Sequence, residues 1–502
     1  MTLKFVLFAT LALTLDETTF NTFLNSISAT FSQLLETLDS IIFFSIGGPE
    51  GMPLIVIWLI SGGLFFTFRM KFINIRAFKH AIDVVRGKYD DPDEPGEVSH
   101  FQALATALSG TVGLGNIAGV AVAIGIGGPG ASLWMTVAGL LGMTTKFVEC
   151  TLGQKYRIVR ADGTVAGGPM YYLSSGLAEI GQKTLGRVLA VAFAFLGICG
   201  TLATTTLFQS NQSGAVVGSI VPFFADRPWV YGSIVATLVG LVIIGGIKRI
   251  ATVAAAIVPA MCGIYFLAAL WVIAANFMDV PEAIATIFQG AFAPEAVAGG
   301  FVGALVQGFR RAAFSNEAGL GFAAIAHAAA KTEEPVREGI VALLEPFIDT
   351  VIICNLTAIV VIITGAYNNP EFTGLDGATL TLAAFGTVSQ WLPSILAIAI
   401  FLFAFSSIIS AAYYGEICWQ YLFSEQSQIV YKILCVLAVF VGAVTAPEAI
   451  IKFGDAVKTS LAIPSLLGAY LLSGKVAAEL EDYTNRFMSN GKDETDGLLA
   501  ND

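Results

Sequence analysis

Two short runs in an otherwise apolar chain carry residue types able to bind a small charged molecule. Residues 109–119 read SGTVGLGNIAG and residues 314–321 read FSNEAGLG. In each, glycines stand beside Ser, Thr, Asn or Glu inside a stretch otherwise suited to lipid. A glycine weakens a helix by up to about 1 kcal/mol relative to alanine, so Gly110, Gly113, Gly115 and Gly119 predict an interrupted helix. Unwound backbone is tolerated inside a membrane only where it lines a cavity or is buried in protein. There, half-helix N-termini offer N–H groups to a carboxylate, and freed carbonyls coordinate a small cation. The chemistry expected is joint binding of a zwitterion and a cation, with no bond made or broken. Gly115 and Gly119 also have the spacing of a tight helix crossing, and the first run alone leaves that reading open. Glu317 in the second run weighs against it, because a carboxylate at membrane depth is costly and functional by default.

Other polar residues lie deep in apolar stretches. Gln209 and Asn211 are placed either to contact a substrate or to meet water at a helix end. Ser406 and Ser407 could complete a sodium shell with carbonyls near Ser109, Gly110 and Gly113, or bond their own helix backbone. Glu317 could cap the unwound half-helix, bind the cation or carry a proton. Arg310 and Arg311 precede the second break and suit an outer gate or a vestibule. Glu149, Glu345, Asp349 and Glu416 fall near predicted cytoplasmic helix ends, where wet or paired structural roles are expected.

The elements that must position these residues are membrane helices. Of the 502 residues, 56 % are hydrophobic and 13 % charged, with a mean hydropathy of +0.77. A soluble domain would carry about 25 % charged residues, so much of this surface must face lipid. About eleven apolar stretches approach the ~20 residues needed to cross the hydrocarbon as helices. The expected fold class is thus all-α membrane protein, with one leading helix and two sets of about five spans in a transporter domain at residues 41–475. The sets cover about residues 100–275 and 299–473, and each opens on one of the interrupted helices. Alternation makes the two interruptions run in opposite directions, an inverted repeat whose midplane breaks mark a transporter site.

Residues 1–40 read as an N-terminal extension, signal-like or amphipathic, and residues 476–502 as a polar cytoplasmic tail. Lys and Arg concentrate in alternate loops, which places the N-terminal flank outside and the C-terminus in the cytoplasm of an inner or plasma membrane.

The net charge of −11 argues against a nucleic-acid partner. The absence of a G-x-x-x-x-G-K-[ST] loop argues against a nucleotide. Six cysteines form no Cys-x-x-Cys pair, and His80, His100 and His327 have no metal-ligand spacing. Neither an enzyme nor a filter-type channel is expected.

Residues 109–119, 127–131 (GGPGA), 167–172 (GGPMYY), 314–321 and 404–422 (AFSSIISAAYYGEICWQYL) together resemble the alanine or glycine:cation symporter family, the sodium:alanine symporters. The resemblance covers about residues 40–475. It implies a LeuT-like five-plus-five inverted repeat and sodium-driven uptake of alanine or glycine, with Na+ as co-transported ion and no other cofactor. It places Thr111, Gly113 and Asn116 in the first half of the substrate site, Phe314, Ser315 and Asn316 in the second, and Gln209 facing the substrate. By analogy of position, Ser109, Gly110, Gly113, Ser406 and Ser407 would bind sodium. A proton-driven version of the same architecture would use Glu317 as carrier, with Arg311 beside it as a gate.

Overall fold

The computed structural model describes residues 37–488, apart from 38, 39, 47, 49, 50, 294–299, 373, 376 and 445–447. Most of the expected extension at residues 1–40 and the end of the tail lie outside the described residues. The described chain is helical except for loops and two small ribbons, Ser45–Ile46 with Met52–Pro53 and Ile158–Val159 with Val165–Ala166.

Six described helices are long and apolar enough to cross a membrane: Lys183–Ile220, Gly246–Ala275, Pro335–Ile363, Leu392–Leu422, Glu425–Val444 and Gly454–Met488. The pair His100–Thr111 and Leu114–Gly127 makes a seventh span, bent by 58° at its break. The other candidate spans correspond to the shorter helices Leu54–Arg69 and Pro228–Ile243, to Ala131–Lys155 and to Gly300–Asn316. Ala131–Lys155 is less apolar because its buried face carries Thr144, Lys146, Glu149 and Thr151, all fully buried.

Local signals explain where the functional helices start and bend. Ser99 caps His100–Thr111 in a reciprocal box: its hydroxyl accepts from the Gln102 amide at 3.2 Å, and Gln102 Oε1 accepts from the Ser99 amide at 3.0 Å. Such caps contribute about 1 kcal/mol. Lys183–Ile220 and Pro335–Ile363 each contain a wider, π-type stretch, Thr201–Leu207 and Phe347–Cys354. Stretches of this kind occur frequently at functional sites. The leading helix, Leu54–Arg69, crosses Ala131–Lys155 so closely that a Cβ on Gly63 would lie 2.8 Å from Leu141 Cβ. At one end of the bundle the half-exposed Trp271 and Trp391 rings stand 6.0 Å apart, in keeping with an interfacial belt. The last helix continues to Tyr483 and a wide turn follows to Met488, so the tail expected from residue 476 begins as helix.

Candidate functional site between two interrupted helices

The first interruption falls at Val112 and Gly113. Gly113 is extended, and a Cβ on it would stand 2.6 Å from Ser407 Oγ and 2.7 Å from Gln209 Nε2. Close approach, rather than an unusual dihedral, demands glycine here. The amides freed by the break go to side chains: Gly113 N–H donates to Asn116 Oδ1 at 2.8 Å, and Leu114 N–H to Gln209 Oε1 at 3.3 Å.

The second interruption follows Asn316. Glu317 has φ 56°, left-handed, a conformation costing a non-glycine residue roughly 1–2 kcal/mol. The Phe314 carbonyl, which an unbroken helix would pair with the Ala318 amide, accepts instead from Lys458 Nζ at 3.0 Å. The Ala318 amide donates to Asn316 Oδ1 at 2.9 Å. One lost main-chain bond is replaced by two side-chain bonds, as burial of polar backbone requires.

The two interruptions touch. A Cβ on Gly115 would lie 3.4 Å from Ser315 Cα. Beside that contact stands Asp349, in the π-type stretch of Pro335–Ile363. Its Oδ2 accepts from Asn116 Nδ2 at 2.5 Å, and its Oδ1 from Ser315 Oγ at 2.9 Å and Thr350 Oγ1 at 2.7 Å. Thr350 Oγ1 in turn accepts from Asn316 Nδ2 at 2.8 Å. All five residues are at most 1 % exposed. A buried carboxylate without a cationic partner costs several kcal/mol, and among the described residues no Lys or Arg pairs with Asp349. Its donors offset part of that cost, and a small cation would offset more.

Asp349 departs from the sequence expectation of a helix-end carboxylate. The helix begins at Pro335 and ends at Ile363, which puts Asp349 at its middle. Arg337 and Glu338 interrupt the apolar pattern, so the span read from the sequence starts only after them. Glu345 and Glu416 are paired, with Lys146 at 2.9 Å and Lys432 at 3.2 Å, and Glu149 accepts from Ser465 Oγ at 2.8 Å.

A second pole lies where Leu392–Leu422 crosses the first interruption. Ser407 Oγ is fully buried and has no hydrogen-bond partner among the described residues; it lies beside Gly113 and Gln209. Ser406 is turned away: its hydroxyl donates to Phe403 O at 3.0 Å, and its carbonyl accepts from Ser109 Oγ at 2.6 Å. Thr111 Oγ1 likewise donates to Ala107 O at 3.2 Å. Gly110 packs under Tyr414, whose hydroxyl would be 2.8 Å from an added Cβ. Gly113, Gln209 and Ser407 therefore converge at one pole, and Asn116, Ser315 and Asn316 at the other. The hydroxyls of Ser109, Thr111 and Ser406 are spent on carbonyls.

A charged group borders Phe314, which is half-buried and meets the Phe208 ring at right angles, 6.0 Å away. Lys458 Nζ stands 2.8 Å from Glu317 Oε1 and 4.3 Å from the Phe314 ring centre. Arg310 and Arg311 face Asp455 at 3.6 and 3.4 Å. Sequence reasoning missed Asp455 and Lys458; the available signal was a charged pair three residues apart at the mouth of an apolar span.

Comparison with known proteins agrees with this architecture. The model of the sodium:alanine symporter family matches residues 36–496. The chain is 39 % identical over 454 residues to the sodium/alanine symporter AgcS of Methanococcus maripaludis, covering 90 % of this chain and 97 % of that protein. It is 36 % identical over 443 residues to the probable sodium/glutamine symporter GlnT of Bacillus subtilis, covering 88 % and 89 %. Among solved structures, MhsT in complex with L-phenylalanine superposes with a TM-score of 0.52 at 13 % identity, over 76 % of this chain and 89 % of that one, a likeness of fold alone. The chain is a multi-pass membrane transporter with a LeuT-like fold, and it belongs to the sodium:alanine symporter family.

Proposed function

We propose that the protein couples sodium entry to uptake of a small neutral amino acid, alanine or glycine, by alternating access. The observation that carries this reading is Asp349, a fully buried carboxylate bonded to both interrupted helices. Sodium held among the oxygens of Asp349, Asn116 and Ser315 would neutralise it and tie the two half-sites together. The unpartnered hydroxyl of Ser407 beside Gly113 supports a second cation position with the carbonyls of residues 109–113.

The substrate carboxylate takes the Gly113 and Leu114 amides, displacing Asn116 Oδ1 and Gln209 Oε1. The close packing of Gly115 against Ser315 supports a short substrate side chain, as in alanine or glycine. Phe314, under Lys458, closes the site on one side, and Arg310, Arg311 and Asp455 form the gate beyond it. The proton-carrier reading of Glu317 is less favoured, because the Lys458 ammonium holds that carboxylate in a fixed ion pair. The sidedness read from Lys and Arg, with an outside N-terminal flank and a cytoplasmic C-terminus in an inner or plasma membrane, is part of the same proposal.

Alanine uptake into proteoliposomes, driven by an inward sodium gradient and compared with an equal potassium gradient, tests it. Accumulation with sodium alone, lost in Asn316→Ala, is expected. Equal uptake under both gradients would overturn sodium coupling.

A further inference from the structure

On one face of the bundle the ends of the two interrupted helices are joined by main-chain bonds. Residues 95–98 lead into His100–Thr111, and they run beside residues 329–332, which follow Ala323–His327. The Glu97 and Val98 amides donate to Ala329 O at 2.8 and 3.2 Å. The Lys331 amide donates to Val98 O at 2.8 Å, and the Thr332 amide to Pro95 O at 3.2 Å. The approach is close: Gly96 has φ 147°, and a Cβ on it would stand 2.5 Å from Lys331 Cα.

One side chain holds both partners of this join. Arg157 lies just past the end of Ala131–Lys155. Its Nη2 donates to Pro95 O at 2.7 Å and Thr332 O at 2.6 Å, and its Nη1 to Ala328 O at 2.9 Å and Ala330 O at 2.5 Å. Pro95 belongs to the first interrupted helix's approach, and the other three follow the second. Gln154 aims the fork, accepting from Nη1 at 2.8 Å and donating to Ala330 O at 3.1 Å. Ala328, Ala330 and Thr332 are at most 1 % exposed, so their carbonyls depend on protein donors. Among the described residues no carboxylate pairs with Arg157. Its donors are spent on carbonyls of two chain segments at once, a task for a planar fork and beyond a lysine's compact ammonium.

The surroundings seat the same two ends. In the GGPMYY run, a Cβ on Gly167 would lie 2.3 Å from Ala328 Cβ, and one on Gly168 2.5 Å from Ile325 Cγ1. Those glycines leave the space that the end of the second helix fills. Glu338, near the start of Pro335–Ile363, meets His100 Nδ1 with one oxygen and His327 Nδ1, 2.6 Å away, with the other. A pocket of about 290 Å³, bordered by Asp90, Glu97, Val98, Ser99 and Lys331, brings solvent up to the join.

We propose that Arg157 pins the gate on this face, which is cytoplasmic on the sidedness given above. Its guanidinium holds the foot of the first interrupted helix against the end of the second, and the pathway opens here when the Pro95 carbonyl leaves the fork. Arg157 acts through those carbonyls and not on the substrate, which makes it a positioning residue. The inference rests on the alternating-access reading, since the two ends must part for a pin between them to matter.

Spin labels at Phe101→Cys and Glu333→Cys, exposed positions on the two ends, read the gap as a distance. The full chain is reconstituted in lipid with Cys199→Ala and Cys262→Ala, and its four buried cysteines stay in place. At matched sodium and alanine, Arg157→Gln should raise the parted fraction by about tenfold or more, the effect of losing one hydrogen bond to a charged group. Arg157→Lys should shift it the same way and carries the test if the glutamine variant does not fold, as judged by its melting curve. Gly96→Ala, which drives a methyl against Lys331 with the arginine intact, should also part the ends. Arg160→Gln removes a neighbouring guanidinium that binds Glu425 and Gln420 instead, and should leave the fraction at the parent's value. A gap that answers to sodium and alanine in the parent but is unchanged by loss of the Arg157 fork would overturn the pin and leave alternating access standing. An equal shift in Arg160→Gln would overturn the pin as well. A gap blind to sodium and alanine in the parent would overturn both.

Discussion

Between residues 109 and 119 the first interruption contains no charged residue, whereas the second contains Glu317 and is bordered by Lys458, Arg310, Arg311 and Asp455. The first is held open by shape: Gly113 lets Ser407 and Gln209 approach, and amide side chains take the loose N–H groups. The second is held open by charge: an ammonium occupies the loose carbonyl and pairs with the carboxylate that turns the chain. A neutral break can exchange its side-chain acceptors for a ligand at little electrostatic cost. A charged break resists such exchange, because moving either partner strands a buried charge. Binding should therefore rearrange the first interruption more than the second.

Asp349 is the group both interruptions share, so its loss should have the largest effect. Asp349→Asn is expected to cut sodium-driven uptake by about a hundredfold or more, an effect on the scale of losing one buried charge partner, while the variant still purifies as a folded monodisperse protein. Uptake within a few-fold of the parent would dissolve the link between the two halves. Next comes the charged break. Lys458→Gln should destabilise by about 3–5 kcal/mol, with most of that recovered in Glu317→Gln/Lys458→Gln, as measured by thermal unfolding in detergent. If the double variant is no better than the single one, the second break is not held by charge.

The neutral break should answer to volume. Gly113→Ala places a methyl against Ser407 and Gln209 and should cost about 1–3 kcal/mol, and Gln209→Ala in the same chain should restore part of it. Smallest is Ser407→Ala. Removing a buried, unpartnered hydroxyl should leave the sodium-free melting temperature unchanged or slightly higher, while half-saturating sodium rises about tenfold, the effect of roughly 1.4 kcal/mol in binding. A fall in sodium-free stability would mean that this hydroxyl has a structural partner after all.

The interruptions were legible in the sequence because glycine and polar residues inside an apolar run are a local, one-dimensional signal. The LeuT-like arrangement followed from their repetition in two halves and from the motifs around them. Asp349 was visible but misjudged, since charges before it hid where its helix starts. Lys458 and the convergence of His100 with His327 were not legible, for partners 144 and 227 positions apart along the chain are joined only by packing. Ser406 and Ser407 show the finer limit: adjacent serines on a helix point in different directions, and among the described residues only the Ser407 hydroxyl of the two lacks a partner.

The lysine at position 458 also has a mechanical consequence. Its ammonium fastens Glu448–Ser460 to the end of Gly300–Asn316 through both a carbonyl and a carboxylate. That fastening removes a degree of freedom. Any displacement of one of those two segments would carry the other with it, and the chain beyond them turns at Gly319 and Gly321, whose positive φ angles are 91° and 83°.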